Sequence, residues 1–465
     1  MMRVERDIKA ISMNQDQIMH DAMFSRARYK DAIYENVTSY QILQRNLNSN
    51  TARVKLANGN IISLGIGGPY TINNAHSVYV GDIWIMAGQS NMRGHGYFND
   101  GEKNVLLEPK PGIHLYQSNE TWGIAQDPTH RLSESPRSVH HRIPDPTVRN
   151  PSILHVRGAS LGLSFAQSYQ KRNNNIPVGL VASAHGGTSS AQWMERDPDN
   201  PSSTLYGAMM ARIGQVGGNI AGVLWYQGET DACSSDPKPY GRNTIDLLAD
   251  MVRDMDSGIP IVCVQLGRCV GGNHIQDSHW NLIREVQYRC LAPRHIGAET
   301  RLCAVSSIDA SMDDFIHLSA QGLTKVGYRL GVAATFAMQN KAYMATPRMV
   351  FAGYEEKNEF TMRRCTIKVS FENLDNDVTW TPMDEVLGFS IRHQNEDKHE
   401  LPIILSARIE NQRSIRIYLT GDALQLRGSY VLYYGWGKNP CCNLTTTSGM
   451  GLLASRISFA IEHPH

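Results

Sequence analysis

The spacing of apolar side chains changes character three times along the chain. Over residues 1 to about 34 they stand apart, as Val4, Ile8, Ile11, Ile18 and Met23, in a polar stretch free of glycine and proline. That spacing predicts a helical arm. From Tyr40 to about Val80 the pattern shortens to alternation, as in ARVKLANGNIISLGIGGPY, with Asn58-Gly59 between two apolar-polar runs. An Asn-Gly pair so placed predicts a hairpin turn and a small β unit. From Gly81 the text becomes short apolar runs (DIWIMAG, IHLY, VGLVASA, GVLWY, IPIVCVQLG, CAVSSID) separated by amphipathic ones such as SLGLSFAQSYQKR and NLIREVQYRC. Strands that are apolar on both sides, alternating with helices, predict a parallel sheet covered on both faces. This α/β unit closes with AQGLTKVGYRLGVAATFAMQNKAY, and after Pro347 alternating strands (CTIKVSF, GFSIRHQ, SIRIYL, YVLYYGW) predict a β-sandwich. The expected division is therefore 1–80, 81–343 and 344–465.

Composition then removes whole classes of function. The 465 residues carry 45 Lys+Arg against 44 Asp+Glu, a net charge of +1, so no bulk electrostatic attraction draws the chain to nucleic acid or anionic lipid. Mean hydropathy is -0.34, and no apolar run approaches the ~18 residues of a membrane span. No partner of either kind, nucleic acid or membrane, is expected. The eight cysteines include no CxxC pair, which predicts reduced core thiols rather than a metal or redox site. The start, MMRVERDIKAISMNQDQIMHD, lacks the continuous apolar stretch of a signal peptide, so a cytoplasmic location is the expectation.

In an open parallel sheet ligands collect at the carboxyl ends of the strands, and those loops hold the candidate chemistry. DIWIM leads into Gln89, Ser90 and Asn91; VGLVASA into His185, Gly186, Gly187 and Thr188; GVLWY into Gln227, Gly228, Glu229, Thr230 and Asp231; and CAVSSID into Asp313, Asp314 and His317. A serine at a strand-to-helix turn after Gly88 is placed as a nucleophile, although a helix-capping serine explains it as well. Asp314 three residues before His317 can reach one imidazole nitrogen while the other faces outward, the arrangement of a base and its orienting acid. Asp313 is one residue further from it. Gln227 is placed to donate to an oxyanion, or else to tie loops together. Trp193 can offer a face to a pyranose ring or pack beneath its loop. Asn91, Arg93 and His95 lie beside the serine, as sugar contacts or as a polar turn, and the Pro128–Asn150 stretch reads as a rim loop.

The letters GQSNM, GLSFA, GGTSSAQW, LWYQGETDA, WNLIREVQYR and DDFIHLSAQGLTKVGYRLG, in this order, resemble the carbohydrate acetylesterases of the sialate O-acetylesterase and acetylxylan esterase group, within the SGNH hydrolases. The resemblance covers about Gly81 to Tyr343, and GGPYTI and YVLYYGWGKNPCCNLTTTSGM resemble the flanking β regions. It implies a flavodoxin-like three-layer α/β/α domain in which Ser90 is the nucleophile, His317 the base and Asp314 its partner. It further implies oxyanion donors from the Ser90 N–H, the Gln227 side chain and a second-block N–H. Where the group commonly reads GPGLSFA this chain has Ser160-Leu161-Gly162, so that donor stands open between Gly162 and Ser160. Glu229 is a supporting or alternative acid, and Gln89, Asn91, Gly187 and Trp193 are the supporting or substrate-binding residues. The implied substrate is an O-acetylated carbohydrate, with no metal or organic cofactor, and relatives of this kind also suggest an extracellular or lysosome-like location. Two other readings remain: an esterase for non-sugar esters, and a glycan-binding protein that works through its β-sandwich with a vestigial hydrolase domain.

Overall fold

The computed structural model describes residues 32–255, 258–272, 274–291, 301–359, 362–374, 379–394 and 396–462. The expected helical arm lies almost wholly outside them. A single 14-residue strand, β1 (Ala75–Gly88), links the N-terminal β unit to the large sheet and carries the chain across the expected boundary at 80/81. Its first half pairs with Ile42–Gln44 and Gly67–Ile72 of the N-terminal β unit. Its second half is the centre of the large sheet. There Trp84 and Met86 enter one core while Ile83, Ile85 and Ala87 enter the other. A strand buried on both sides has no polar face to show, which is why this run reads as continuous apolar text.

The other strands are β2 (Ile113–Tyr116), β3 (Trp122–Ile124), β4 (Val178–Ala182), β5 (Gly222–Tyr226), β6 (Ile261–Gln265) and β7 (Leu302–Ser306). Their order across the sheet is β3-β2-β4-β1-β5-β6-β7. All neighbours run parallel except β2 and β3. The expectation of a parallel sheet is therefore corrected to a large mixed one. The reason is local: β2 turns straight back into β3, without the crossover connection that a parallel neighbour requires.

Helices cover both faces. Phe165 and Tyr169 of α2 (Gly162–Arg172), Trp280 and Ile283 of α6 (Asp277–Leu291) and Leu323, Val326 and Leu330 of α7 (Ala320–Met338) fill one core. Trp193 of α3 (Ser190–Met194), Met209 of α4 (Leu205–Gln215) and Leu247 and Met251 of α5 (Pro239–Met255) fill the other. The four-residue α1 (Ser90–Arg93) follows β1 directly.

Beyond α7 come two further four-stranded antiparallel sheets. One has the order 348–359, 362–372, 414–419, 404–411 and the other 396–401, 389–393, 428–434, 455–461. Ile367, Val369 and Ile415 of the first share a core with Ile391, Leu432 and Phe459 of the second. Loops of this sandwich are hydrogen-bonded to the α/β body. Gln265 at the end of β6 makes two bonds to the Ala454 backbone, Arg284 of α6 donates to the carbonyls of Gly435 and Gly437, and Arg329 of α7 donates to that of Gly449. Burying these guanidinium groups is tolerated because carbonyl oxygens, and for Arg329 also the Asp309 carboxylate, accept their N–H bonds.

Candidate active site

The turn after β1 depends on Gly88. Its φ is 132°, and a Cβ there would lie 2.1 Å from the Tyr226 carbonyl oxygen of β5. Only glycine allows both the left-handed backbone and this approach. Gln89 then donates its N–H to the same carbonyl at 2.8 Å and takes the N-cap place of α1, so Ser90 is the first helical residue and not the cap. The Ser90 Oγ lies 2.9 Å from His317 Nε2.

His317 ends the loop that follows β7. Asp314 organises that loop: its Oδ1 accepts the N–H groups of Ile316 (3.0 Å) and His317 (2.8 Å), while Oδ2 lies 2.8 Å from His317 Nδ1. Arg157, from the short strand Arg157–Ala159, donates to Oδ2 at 2.6 Å. Partial burial by itself would raise the Asp314 carboxyl. The bonds from His317, Arg157 and the two backbone N–H groups outweigh it and hold the group far below the usual carboxylate range. Asp313 turns away, its carboxylate accepting the Tyr97 N–H at 2.8 Å.

His95 lies flat on His317, ring centres 3.8 Å apart and planes 12° apart. Burial, then the neighbouring His317, Arg93 and Arg157, push it down to about 2, so it stays neutral. His95, Asp314 and His317 are the group of possible metal ligands found among the described residues. Two parallel stacked imidazoles cannot both aim an in-plane lone pair at one ion, and Asp314 already spends both oxygens on hydrogen bonds. The cluster suits proton transfer better than metal binding.

Asn91 joins the two sides. Its Nδ2 donates to Glu229 Oε1 (2.7 Å) and to the Ile316 carbonyl (3.3 Å), and its Oδ1 accepts the Leu318 N–H (3.0 Å). It is a bracket between the serine turn and the histidine loop, not a sugar contact. Glu229 is 2% exposed, its second oxygen has no partner, and burial pushes it up to about 7 against the Asn91 bond.

Several residues expected at the substrate have other work. Gln227 Nε2 lies within reach of three acceptors, Asp231 Oδ2 at 2.6 Å, the Thr188 carbonyl at 3.0 Å and Gln89 Oε1 at 3.3 Å. Its two N–H bonds are taken, so it ties loops together and is not free for an oxyanion. Gln89 Oε1 likewise accepts the N–H groups of Gly228 and Thr230. Trp193 is 0% exposed, edge-on to Trp225 at 5.0 Å and bonded through Nε1 to Thr188 Oγ1. No sugar ring can reach its face. The second-block donors are also occupied: Ser160 N–H goes to Asp127 and Gly162 N–H to Ser160 Oγ. Gly187, by contrast, is exposed in a left-handed turn with φ 68° and open space around it. Among the described residues the Ser90 and Gly187 N–H groups donate to no protein acceptor.

Pro128–Asn150 has an exposed outer side, with Glu134, His141 and Arg142 among the exposed residues, and an inner side that packs beneath the serine turn. His130, His140 and Asp145 are buried, His140 Nδ1 lies 3.0 Å from His185 Nδ1, and Arg93 pairs with Asp145 at 3.2 Å. Arg93 therefore supports the serine turn from below. Gly186 passes so close that a Cβ would lie 2.5 Å from Asp145 Oδ2. Arg157 is the residue that sequence reasoning missed; it stands 157 positions from Asp314, and no local pattern marks it.

The α/β fold and the Ser90–His317–Asp314 hydrogen bonds fit an ester hydrolase, and the family match makes the chain a carboxylic ester hydrolase of the carbohydrate esterase class. More narrowly, residues 80–335 match the model of the carbohydrate esterases described as sialic acid-specific acetylesterases, and the chain belongs to that family. A probable carbohydrate esterase of Arabidopsis thaliana is 28% identical over 272 residues, 54% of this chain and 89% of that protein. The crystal structure of a carbohydrate acetylesterase from Xanthomonas citri superposes with a TM-score of 0.61 at 20% identity, covering 90% of this chain and 98% of that one. At that identity it speaks for the fold. A structure from Arabidopsis thaliana, 26% identical and covering 54% of this chain and 97% of its own, gives a TM-score of 0.41.

Proposed function

We propose that the chain is a serine O-acetylesterase of the SGNH type, working through Ser90, His317 and Asp314 within residues 81–343. The observation that carries this reading is one continuous line of hydrogen bonds: Ser90 Oγ to His317 Nε2 at 2.9 Å and His317 Nδ1 to Asp314 Oδ2 at 2.8 Å. His317 takes the Ser90 proton as Oγ attacks the acetyl carbonyl carbon. The charge that develops on the carbonyl oxygen needs N–H donors, and those of Ser90 and Gly187 have none of their hydrogen-bonding capacity spent within the protein. Collapse breaks the ester C–O bond, and the sugar oxygen leaves with the proton from His317. Water then attacks the acetyl-Ser90 carbonyl by the same route, releasing acetate and restoring the serine. Asp314 stays ionised throughout and fixes the imidazole tautomer.

The family description supports sialic acid O-acetyl esters as the first substrate class, with acetylated xylan-type polysaccharide next. The test is acetate release from 9-O-acetylated sialic acid and from acetylated xylan, side by side, with Ser90→Ala as control. Release that depends on Ser90 is the expected result, and the better substrate fixes the branch. Release no greater than that of Ser90→Ala from either one, with glycan binding intact, would overturn the reading in favour of a binding protein.

A further inference from the structure

We infer that Arg157 is a positioning residue of the reaction: it clamps the Asp314 carboxylate so that the oxygen facing His317 remains an ionised, oriented acceptor. This rests on the proposed roles of Ser90, His317 and Asp314. Three contacts define the clamp. Arg157 Nη2 donates to Asp314 Oδ2 at 2.6 Å, its Nε donates to the His95 carbonyl, and its guanidinium lies over the Tyr97 ring, 4.7 Å from the centroid. The backbone sets this up, because Arg157 pairs with Tyr97 across two short antiparallel strands whose register then shifts between Arg157 and Ala159. The same fork therefore fixes both the residue stacked on His317 and the acid bonded to it. Lysine would keep the charge but cannot form the fork.

Solvent screens the pair only partly, with 15% of the Arg157 side chain and 29% of the Asp314 side chain exposed. The other charged and titratable groups facing it are His95, held neutral, Asp313, which has Asp100 beyond it, and the Arg93 guanidinium. Burial works to raise the Asp314 carboxyl, and Arg157 is among the donors that oppose it. Without Arg157 the hydrogen-bonded Asp314–His317 pair keeps its partial burial and loses a neighbouring cation, so the pair as a whole takes up its proton at higher pH.

The experiment is the pH profile of kcat/KM for 4-nitrophenyl acetate and for O-acetylated sialic acid, in wild type, Ser90→Ala, Arg157→Ala and Arg157→Lys. For Arg157→Ala we expect kcat to fall about tenfold with KM changed less than about twofold, and the acidic limb to move up by about half to one pH unit. Arg157→Lys should return the limb toward wild type while recovering only part of kcat. If Arg157→Ala does not fold, Arg157→Gln, uncharged but of similar length, carries the same expectation for the limb. An acidic limb that superposes on wild type in the folded variants, with turnover still dependent on Ser90, overturns this inference alone. Turnover that does not depend on Ser90 overturns the reading of the site and the inference together.

Discussion

Two acids stand at carboxyl ends of the same sheet and are treated in opposite ways. Asp314, after β7, is partly open to solvent and surrounded by donors: two backbone N–H groups, His317 and Arg157. It is held down. Glu229, after β5, is enclosed, keeps one side-chain donor in Asn91 and leaves its second oxygen unpartnered, and burial pushes it up to about 7. The lesson is that position at a strand end does not assign a role. Donors turn one carboxylate into a fixed negative charge beside an imidazole, and their scarcity leaves the other as a near-neutral strut.

Substitutions at the two ends should separate charge from scaffold. The largest effect belongs to Asp314→Asn, expected to lower kcat about 10⁴-fold, a loss known to accompany the wrong imidazole tautomer. Its unfolding free energy at pH 7 should also fall, by about 1–2 kcal/mol after allowance for partial exposure, because the donors around Asp314 lose a charged acceptor. A denaturation curve beside the rate assay checks both halves.

Next comes Trp193→Ala on the Glu229 side. Removing a fully enclosed indole should cost about 3–5 kcal/mol of stability, read by denaturant unfolding. The milder Trp193→Phe should leave KM for glycan within about twofold, and a large KM rise there would restore Trp193 to the substrate.

Glu229→Gln tests the sign of the burial effect. A carboxyl raised from 4.5 to about 7 by folding lends its stability in full below the unfolded value, and that stability is lost as pH climbs through the folded value. The glutamine variant has no such slope. Its stability relative to wild type should rise between pH 4.5 and 7 by at most about 3 kcal/mol, with activity within about threefold. Thermal unfolding at pH 5 and at pH 8 decides it, and a stability of the variant relative to wild type that falls as pH rises would contradict the sign.

Smallest is Asn91→Ala, which joins the two regions. It should cost about 10–50-fold in kcat, about 1.4–2.3 kcal/mol, by stripping partners from Leu318 N–H and from Glu229. Unlike the substitutions at Trp193 and Glu229 it should move rate and stability together, and a change in one readout alone would show that the bracket serves a single side.

Much of this site was legible in the letters because it is local. The Asp314–His317 contact spans three residues, and the bend at Ser90 follows from Gly88 meeting β5. Strand ends told which distant loops converge, and so brought Ser90 within view of a histidine 227 positions away. What misled were residues whose side chains have two plausible destinations. Gln227 and Trp193 carry the chemistry of substrate contacts, yet Asp231, Thr188 and Trp225 capture them first. Arg157 gave no sign at all, since its three-residue strand has too little pattern to read.

The sequence by itself determined the alternation of strand and helix, the change to antiparallel β text after Pro347, and the local pairing of Asp314 with His317. These depend on periodicity and short spacing, which one chain displays without its fold. Tertiary structure decided the docking of the sandwich loops onto α6 and α7, the burial of Trp193 and Glu229, and the grip of Arg157 on Asp314. Each of these depends on which acceptor or which apolar surface arrives first from a distant part of the chain, and only packing settles that competition.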